Sequence, residues 1–277
     1  MSTNFDPSQV CQSDVEEAAI ACMPFALAER WAIPSAYERS IKLSAQGVFA
    51  NRYLLGFATR DLKISDLLDA CAAMGLSHSA QCAIGKRFPK SLTTFIGYEQ
   101  AKESTFLKVY LGFEPTGAHR VLSHIGWKWN PREIIRTKSL EKSYRVSLYR
   151  RRGYKKAETQ SKTLPPLKPA IESLRILVED VLYGSWDKSE NLYLTEVTEA
   201  GGRNSVDWNI YASGLTVGHF ADQLCTAFAT CGSSENEARR FLELDSECLL
   251  GHLAYGRDWN ANGFCTLYFS SPGGIGQ

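Results

Sequence analysis

The chain has 277 residues, 44% hydrophobic and 22% charged, with 31 Lys and Arg against 30 Asp and Glu, for a net charge of +1. A chain of this length buries a core without disulfide or metal staples, and an aromatic content of 11% excludes a mainly disordered protein. The balanced charge excludes bulk electrostatic capture of nucleic acid, which takes a clear basic excess.

The segment through Trp31 lacks the basic and apolar regions of a signal peptide, and no apolar run is long enough to span a bilayer. A cytoplasmic protein with no membrane contact is therefore expected. The 8 cysteines form no C-x-x-C pair and have no His at finger spacing, so they are read as free thiols, several of them acting as small hydrophobes.

Residues 12–31 turn from acidic to Ala-rich and read as helix. YERSIKL and GVFANRYLLGF read as short strands. ISDLLDACAAMGLS reads as a second helix, with Ser65 at its N-cap and Leu67, Leu68, Cys71 and Met74 on one face. Residues 1–90 are thus expected to be mostly helical, within a single domain spanning 1–277. After Pro89 the pattern becomes period-two alternation, in four similar hairpin-like units: 93–114, 121–129 with 142–150, 191–213 and 252–271. Turn residues such as Gly201-Gly202 separate the arms. Helices are expected in PPLKPAIESLRILVEDVLY, with prolines at its first turn, in TVGHFADQLCTAF and in SENEARRFLEL.

The second arms share a pattern. Lys108, Tyr110 and Gly112 lie on one face against Val109, Leu111 and Phe113, and Arg145, Ser147 and Tyr149 against Val146 and Leu148. Asp207, Asn209 and Tyr211 lie against Trp208 and Ile210, and Thr266, Tyr268 and Ser270 against Leu267 and Phe269. Alternation alone fits a sheet with one solvated face. Recurring tyrosine favours a half-buried polar interior, such as the lumen of a closed barrel. The expected fold class is α+β: an antiparallel β-barrel of repeated hairpin and helix units surrounded by helices.

FIGYEQAKESTFLKVYLGFE resembles the first clear hairpin of the cyanobactin-type peptide prenyltransferases, in which a Gly-hydrophobic-acid arm precedes a Ser-x-Leu-Lys arm. VLSHIGWKW is similar to that family's Leu-Ser-x-Ile-Gly-aromatic stretch, and NLYLTEVTEAGGRNSVDWNIY and HLAYGRDWNANGFCTLYF to its later hairpins. YERSIKL and ANRYLLGF resemble its Glu-x-Ser-x-Lys and Ala-Ser-Arg-Phe segments, and the order is kept from about residue 29 to 271. The insertion NPREIIRTKSLE and the basic tail RRRGYKK depart from the pattern. The resemblance implies the ABBA prenyltransferase barrel and transfer of an isoprenyl group, dimethylallyl first, from its diphosphate to a side chain or terminus of a ribosomally made peptide.

Ionising an allylic diphosphate takes preorganised positive charge on the leaving group. Arg52 and Lys108 match the resemblance best for this role, with Arg145, Arg203 and Arg257 behind them; the common alternative for each is a surface ion pair. Tyr110, Tyr149, Tyr211 and Tyr268 are candidates for an aromatic shield around the allyl cation, the alternative being core tyrosines bonded through their hydroxyls. Glu38, on the Glu of the Glu-x-Ser-x-Lys segment, is the candidate proton acceptor, with Glu99 and Glu196 in reserve. Mg²⁺ is expected through diphosphate oxygens, and no D-D-x-x-D cluster is present. His124, His219 and His252 are read as structural. A monomer is expected. A barrel that only binds a peptide or diphosphate is the alternative. A single-stranded RNA grip by the basic run Lys128 to Lys156, with Trp127, Trp129, Tyr144 and Tyr149 interleaved, is a weaker one.

Overall fold

Apolar side chains at every second position give strands both after Pro89 and upstream of it. The computed structural model describes residues 15–102, 104–114, 121–132, 144–153, 171–189, 192–199, 204–258 and 262–270. In chain order these form α1 (Val15–Trp31), β1 (Ala36–Ser44), β2 (Gly47–Phe49), β3 (Arg52–Ala58), α2 (Ile64–Ala73), α3 (His78–Arg87), β4 (Thr93–Gln100), β5 (Thr105–Gly112), β6 (Val121–Trp129) and β7 (Tyr144–Gly153). There follow α4 (Glu172–Lys188), β8 (Tyr193–Glu199), β9 (Asn204–Asn209), α5 (Ala221–Thr230), α6 (Glu235–Asp245), β10 (Leu249–Arg257) and β11 (Gly263–Ser270).

The strand order is β11-β10-β9-β8-β7-β6-β5-β4-β3-β1-β2, with β11 also paired to β1. Ten strands thus close into an antiparallel ring of pairings and β2 hangs from β1, which is the expected barrel. Two compact units interleave along the chain. One holds α1, Asn51–Phe113 and Gly126–Arg145; the other holds Tyr37–Ala50, the start of β6 and the chain from Val146 onward.

In the second unit, α4 buries Leu174, Leu177, Val178, Val181 and Leu182, the i, i+3, i+4, i+7, i+8 stripe of an amphipathic helix. They pack with Leu224 and Phe228 of α5, Phe241 of α6, and one face of the strands: Ile41, Leu43, Leu194, Trp208, Leu253, Leu267 and Phe269. Each such side chain contributes about 1.5–3 kcal/mol by leaving water. Alternation then puts Glu38, Asp207, Asn209, His252, Tyr268 and Ser270 on the opposite face. In the first unit, Tyr53, Leu55, Ile96, Tyr98, Leu107 and Val109 are buried on one face. The Tyr53 hydroxyl donates to the Ala21 carbonyl of α1, and the Trp129 indole donates to the Met74 carbonyl at 2.9 Å.

Among the described residues up to 90, three helices stand beside three strands, and YERSIKL and RYLLGF alternate and bury Ile41, Leu43, Tyr53, Leu55 and Phe57, as the strands expected there do. Other expectations are corrected. Ser65 is not the N-cap. Extended Lys63 precedes the helix, Ile64 is already helical, and the Ser65 hydroxyl turns to Asp66. Leu67, Cys71 and Met74 are buried as expected, with Leu68 half-buried. Tyr211 is not on β9: the strand ends at Asn209, and Tyr211–Ser213 form a 3-10 turn closed by Gly214 at φ +65°. The prolines expected in the first turn of α4 lie outside the described residues, as do Gly201 and Gly202. The seven described cysteines are free, Cys71, Cys231, Cys248 and Cys265 of them buried. No helix among the described residues is long and apolar enough to cross a membrane.

Candidate functional site

Each unit gathers charge on the strand face turned away from its helices. In the first unit, pairing sets Arg52 opposite Glu99, and Glu99 opposite Phe106, one step of alternation from Lys108. Glu99 accepts from Arg52 Nη1 at 2.8 Å, from Lys128 Nζ at 2.8 Å and from Lys108 Nζ. Arg52, Lys108 and Glu99 are buried, with 5%, 6% and 6% of their surface exposed. The surface ion pair that is the common fate of Arg and Lys is thereby removed for Arg52 and Lys108, and Glu99 is a counter-ion rather than a base. Three cations meet one carboxylate here. Burial, with Arg52 and Lys128 close by, pushes Lys108 down to about 7 against the pull of Glu99.

Lys128 also stands 4.1 Å over the Phe106 ring, and the Arg145 guanidinium lies 5.7 Å from the same ring. Tyr110 completes this face: its ring fills the space where a side chain at Gly126 would stand. Arg145 and Tyr110 therefore belong to the surroundings of the cation cluster. Arg257 does not join it, being exposed at the end of β10, and Arg203 lies outside the described residues.

In the second unit, the Tyr211 hydroxyl donates to Glu38 Oε2 at 2.7 Å, and Glu38 and Ser270 face each other across the β1–β11 ladder. His252 Nδ1 meets Asp207 Oδ1 at 2.9 Å, and its Nε2 lies 3.4 Å from Asn209 Nδ2. The Tyr211 and Tyr268 rings meet the His252 imidazole in T-shaped contacts at centroid distances of 5.5 and 6.0 Å. Gly251 makes this packing possible, since a Cβ there would collide with the Tyr211 ring and hydroxyl. Tyr149 stacks edge-on against His124 at 6.0 Å. Tyr149, Tyr211 and Tyr268 thus border one polar face. Glu196 shares a face with Leu194 of the core, so it is removed as a reserve base.

The ionisation states follow from burial and charge. Burial raises the Glu38 carboxyl above the usual carboxylate range, while His252 and the Tyr211 hydroxyl pull it back and Asp207 adds to the rise. For His252, burial favours the neutral ring, but the charge and hydrogen bond of Asp207, with Glu38, push it up to about 9. His124 goes the other way, pushed down to about 4 by burial and by the charge of His252, against Asp207. The face therefore holds one charged and one neutral imidazole near neutral pH.

His252, Asp207 and Lys128 were missed as site residues by sequence reasoning. Lys128 shares the parity of Gly126 in IGWKW, which was a usable signal, but its basic neighbours disguised it as part of a run. The histidine and its aspartate are 45 positions apart and meet only through strand register. Among the described residues no group of three or more His, Cys, Asp or Glu side chains is placed to hold a metal ion. Glu99 is engaged by cations.

No protein-family model and no curated protein matches the sequence. Solved structures do match. 5-Dimethylallyltryptophan synthase from Streptomyces coelicolor is similar over 98% of this chain and 96% of its own, with a TM-score of 0.61 and 11% identity. The fold is the ABBA prenyltransferase barrel. 6-Dimethylallyltryptophan synthase from Micromonospora olivasterospora, solved with DMASPP and Trp, matches 95% of this chain and 94% of its own (TM-score 0.58, 14% identity). AnaPT from Neosartorya fischeri matches 98% and 92% (TM-score 0.55, 10% identity). At these identities the likeness is one of fold.

Proposed function

We propose that this protein transfers an isoprenyl group, dimethylallyl first, from its diphosphate to an aromatic nucleophile carried by a peptide. The convergence of Arg52, Lys108 and Lys128 on the single carboxylate of Glu99, on a buried strand face, carries the reading. Among the described residues, Arg52, Lys128 and the titrating Lys108 meet on one carboxylate, an arrangement suited to a diphosphate, and burial strengthens each interaction with it. Prenyl transfer is supported by the fold shared with dimethylallyltryptophan synthases. The peptide acceptor is supported by the collinear cyanobactin-type segments, and an aromatic nucleophile by the neighbour bound to DMASPP and Trp.

In the reaction the C1–O bond of the allylic diphosphate breaks, and the electron pair leaves with the diphosphate, held by Arg52, Lys108 and Lys128. The nucleophile forms the new bond to C1, and the proton it releases passes to Glu38. For the cation, Tyr110 is assigned in the first unit and Tyr149, Tyr211 and Tyr268 in the second, as aromatic rings that stabilise positive charge and exclude water. Mg²⁺ bound with the donor would neutralise charge on the leaving diphosphate and would need no carboxylate cage from the protein.

The test is incubation with dimethylallyl diphosphate and Mg²⁺, offering free tryptophan, free tyrosine, and short peptides bearing Trp, Tyr, His or Arg, read by mass spectrometry. An isoprenyl adduct on a peptide is the expected result. Modification of free tryptophan alone would overturn the peptide acceptor. Donor binding with no adduct on any acceptor would overturn transfer and leave a binding protein.

A further inference from the structure

Asp207 and His252 belong to the polar face yet take no part in the transfer chemistry above. They come from neighbouring strands. His252 is in register with Asn209 and Ala254 with Asp207, so the carboxylate reaches the imidazole diagonally at 2.9 Å. Two tyrosine rings then hold the imidazole in T-shaped contacts, Tyr211 at an interplanar angle of 89° and Tyr268 at 75°. Tyr211 does two things at once: its ring touches the imidazole and its hydroxyl donates to Glu38. The absence of a side chain at Gly251 leaves the room this needs.

We propose that Asp207 and His252 are positioning residues that hold a positive charge beside Glu38, so that its carboxylate stays ionised when the acceptor must release its proton. The inference rests on the proton-accepting role assigned to Glu38 above. A half-buried carboxyl with no cation near it drifts toward its neutral acid and loses the capacity to accept a proton. Glu38 is subject to that drift, and the imidazolium is the largest opposing influence. The titratable groups around the imidazole are Asp207 on β9, Glu38 on β1, Tyr211 in the turn after β9, Tyr268 on β11 and His124 on β6. Asp207 is what keeps the imidazole charged. Without it, the ring loses the largest influence opposing burial and shifts toward its neutral form.

pH–rate profiles of dimethylallyl transfer test this in the parent, His252→Gln and Asp207→Asn. In His252→Gln the acid limb of kcat is expected to move to higher pH, with turnover at the acid end falling about tenfold more than at the alkaline end; in Asp207→Asn, which also lifts Asp207's own push on Glu38, the limb is expected to move the same way by less. Donor affinity is expected to stay at the parent value. A loss of turnover uniform across pH, or an unmoved acid limb, would overturn the proposal. NMR titration of the histidine rings gives a readout independent of transfer. The signal lost in His252→Gln is expected to titrate near pH 9 in the parent and lower in Glu38→Gln. Titration at or below the ordinary 6.5 would overturn the proposal. The expected titration in a protein that makes no adduct would uphold the pairing and overturn the transferase reading instead.

Discussion

Donor binding is expected to draw protons from solution, and Lys108 is the reason. Burial and the neighbouring Arg52 and Lys128 hold this amine down to about 7 in the donor-free protein, with Glu99 opposing. At pH 8, one unit above that value, about 0.1 of the lysines carry a proton. A bound diphosphate supplies negative charge beside the amine and returns it toward its ordinary 10.5, where nearly all of it is charged. The difference is an uptake of about 0.9 proton per donor bound at pH 8. Donor affinity should accordingly fall nearly tenfold per pH unit from about pH 8 to 10. Stability runs the other way. Between about 7 and 10.5 the unfolded chain binds the proton that the folded chain lacks, so without donor this lysine's contribution to stability rises with pH. Calorimetric titration of the donor in Tris and in HEPES, whose ionisation enthalpies differ, measures the uptake directly. Lys108→Met should abolish it and weaken binding. An uptake near zero in the parent, or an undiminished one in Lys108→Met, would refute the reasoning.

Three further outcomes are expected. Glu38→Gln should slow transfer by about 10²–10⁴ while leaving the calorimetric donor affinity unchanged, since the donor is assigned to Arg52, Lys108 and Lys128 and Glu38 to the proton. Gly251→Ala should push the Tyr211 ring off its seat and cost about 1–3 kcal/mol in denaturant unfolding, with a lowered kcat because the hydroxyl leaves Glu38. Arg39→Ala should cost about 1–3 kcal/mol at neutral pH, because Asp245, 3% exposed, loses the guanidinium 2.7 Å away. The carboxyl of Asp245 is already raised by burial with Arg39 opposing, so the variant's deficit should shrink as pH falls and the group is neutral in both states.

Much of this architecture was legible in residue spacing. The face assignments of β5, β7, β9 and β11 follow from parity, as does the burial of Lys108 beside Tyr110. The strand YERSIKL was legible too, because Ile41 and Leu43 alternate with polar neighbours. What parity does not give is register between strands distant in sequence. It therefore hid the meeting of Asp207 with His252, and it placed Tyr211 on a strand that Ile210 had already ended. Side chains that approach across the sheet also decide which acid is a counter-ion. Glu99 and Glu38 look alike in sequence, yet one receives three cations and the other a tyrosine hydroxyl and a neighbouring imidazolium.

The pairing of β1 with β11 sets a timetable for synthesis. Glu38 faces Ser270 of β11, 232 positions further on, so a ribosome adding about 5–20 residues per second leaves Glu38 waiting roughly 12–46 s for its partner. For that interval β1, with Ile41 and Leu43 on one face, is an apolar strand whose later neighbours do not yet exist. The nascent chain thus carries an adhesive edge through most of its elongation, which makes it a natural client for chaperones that bind extended apolar segments. Yields should respond more to their supply, and to slower growth, than to the stability of the finished barrel.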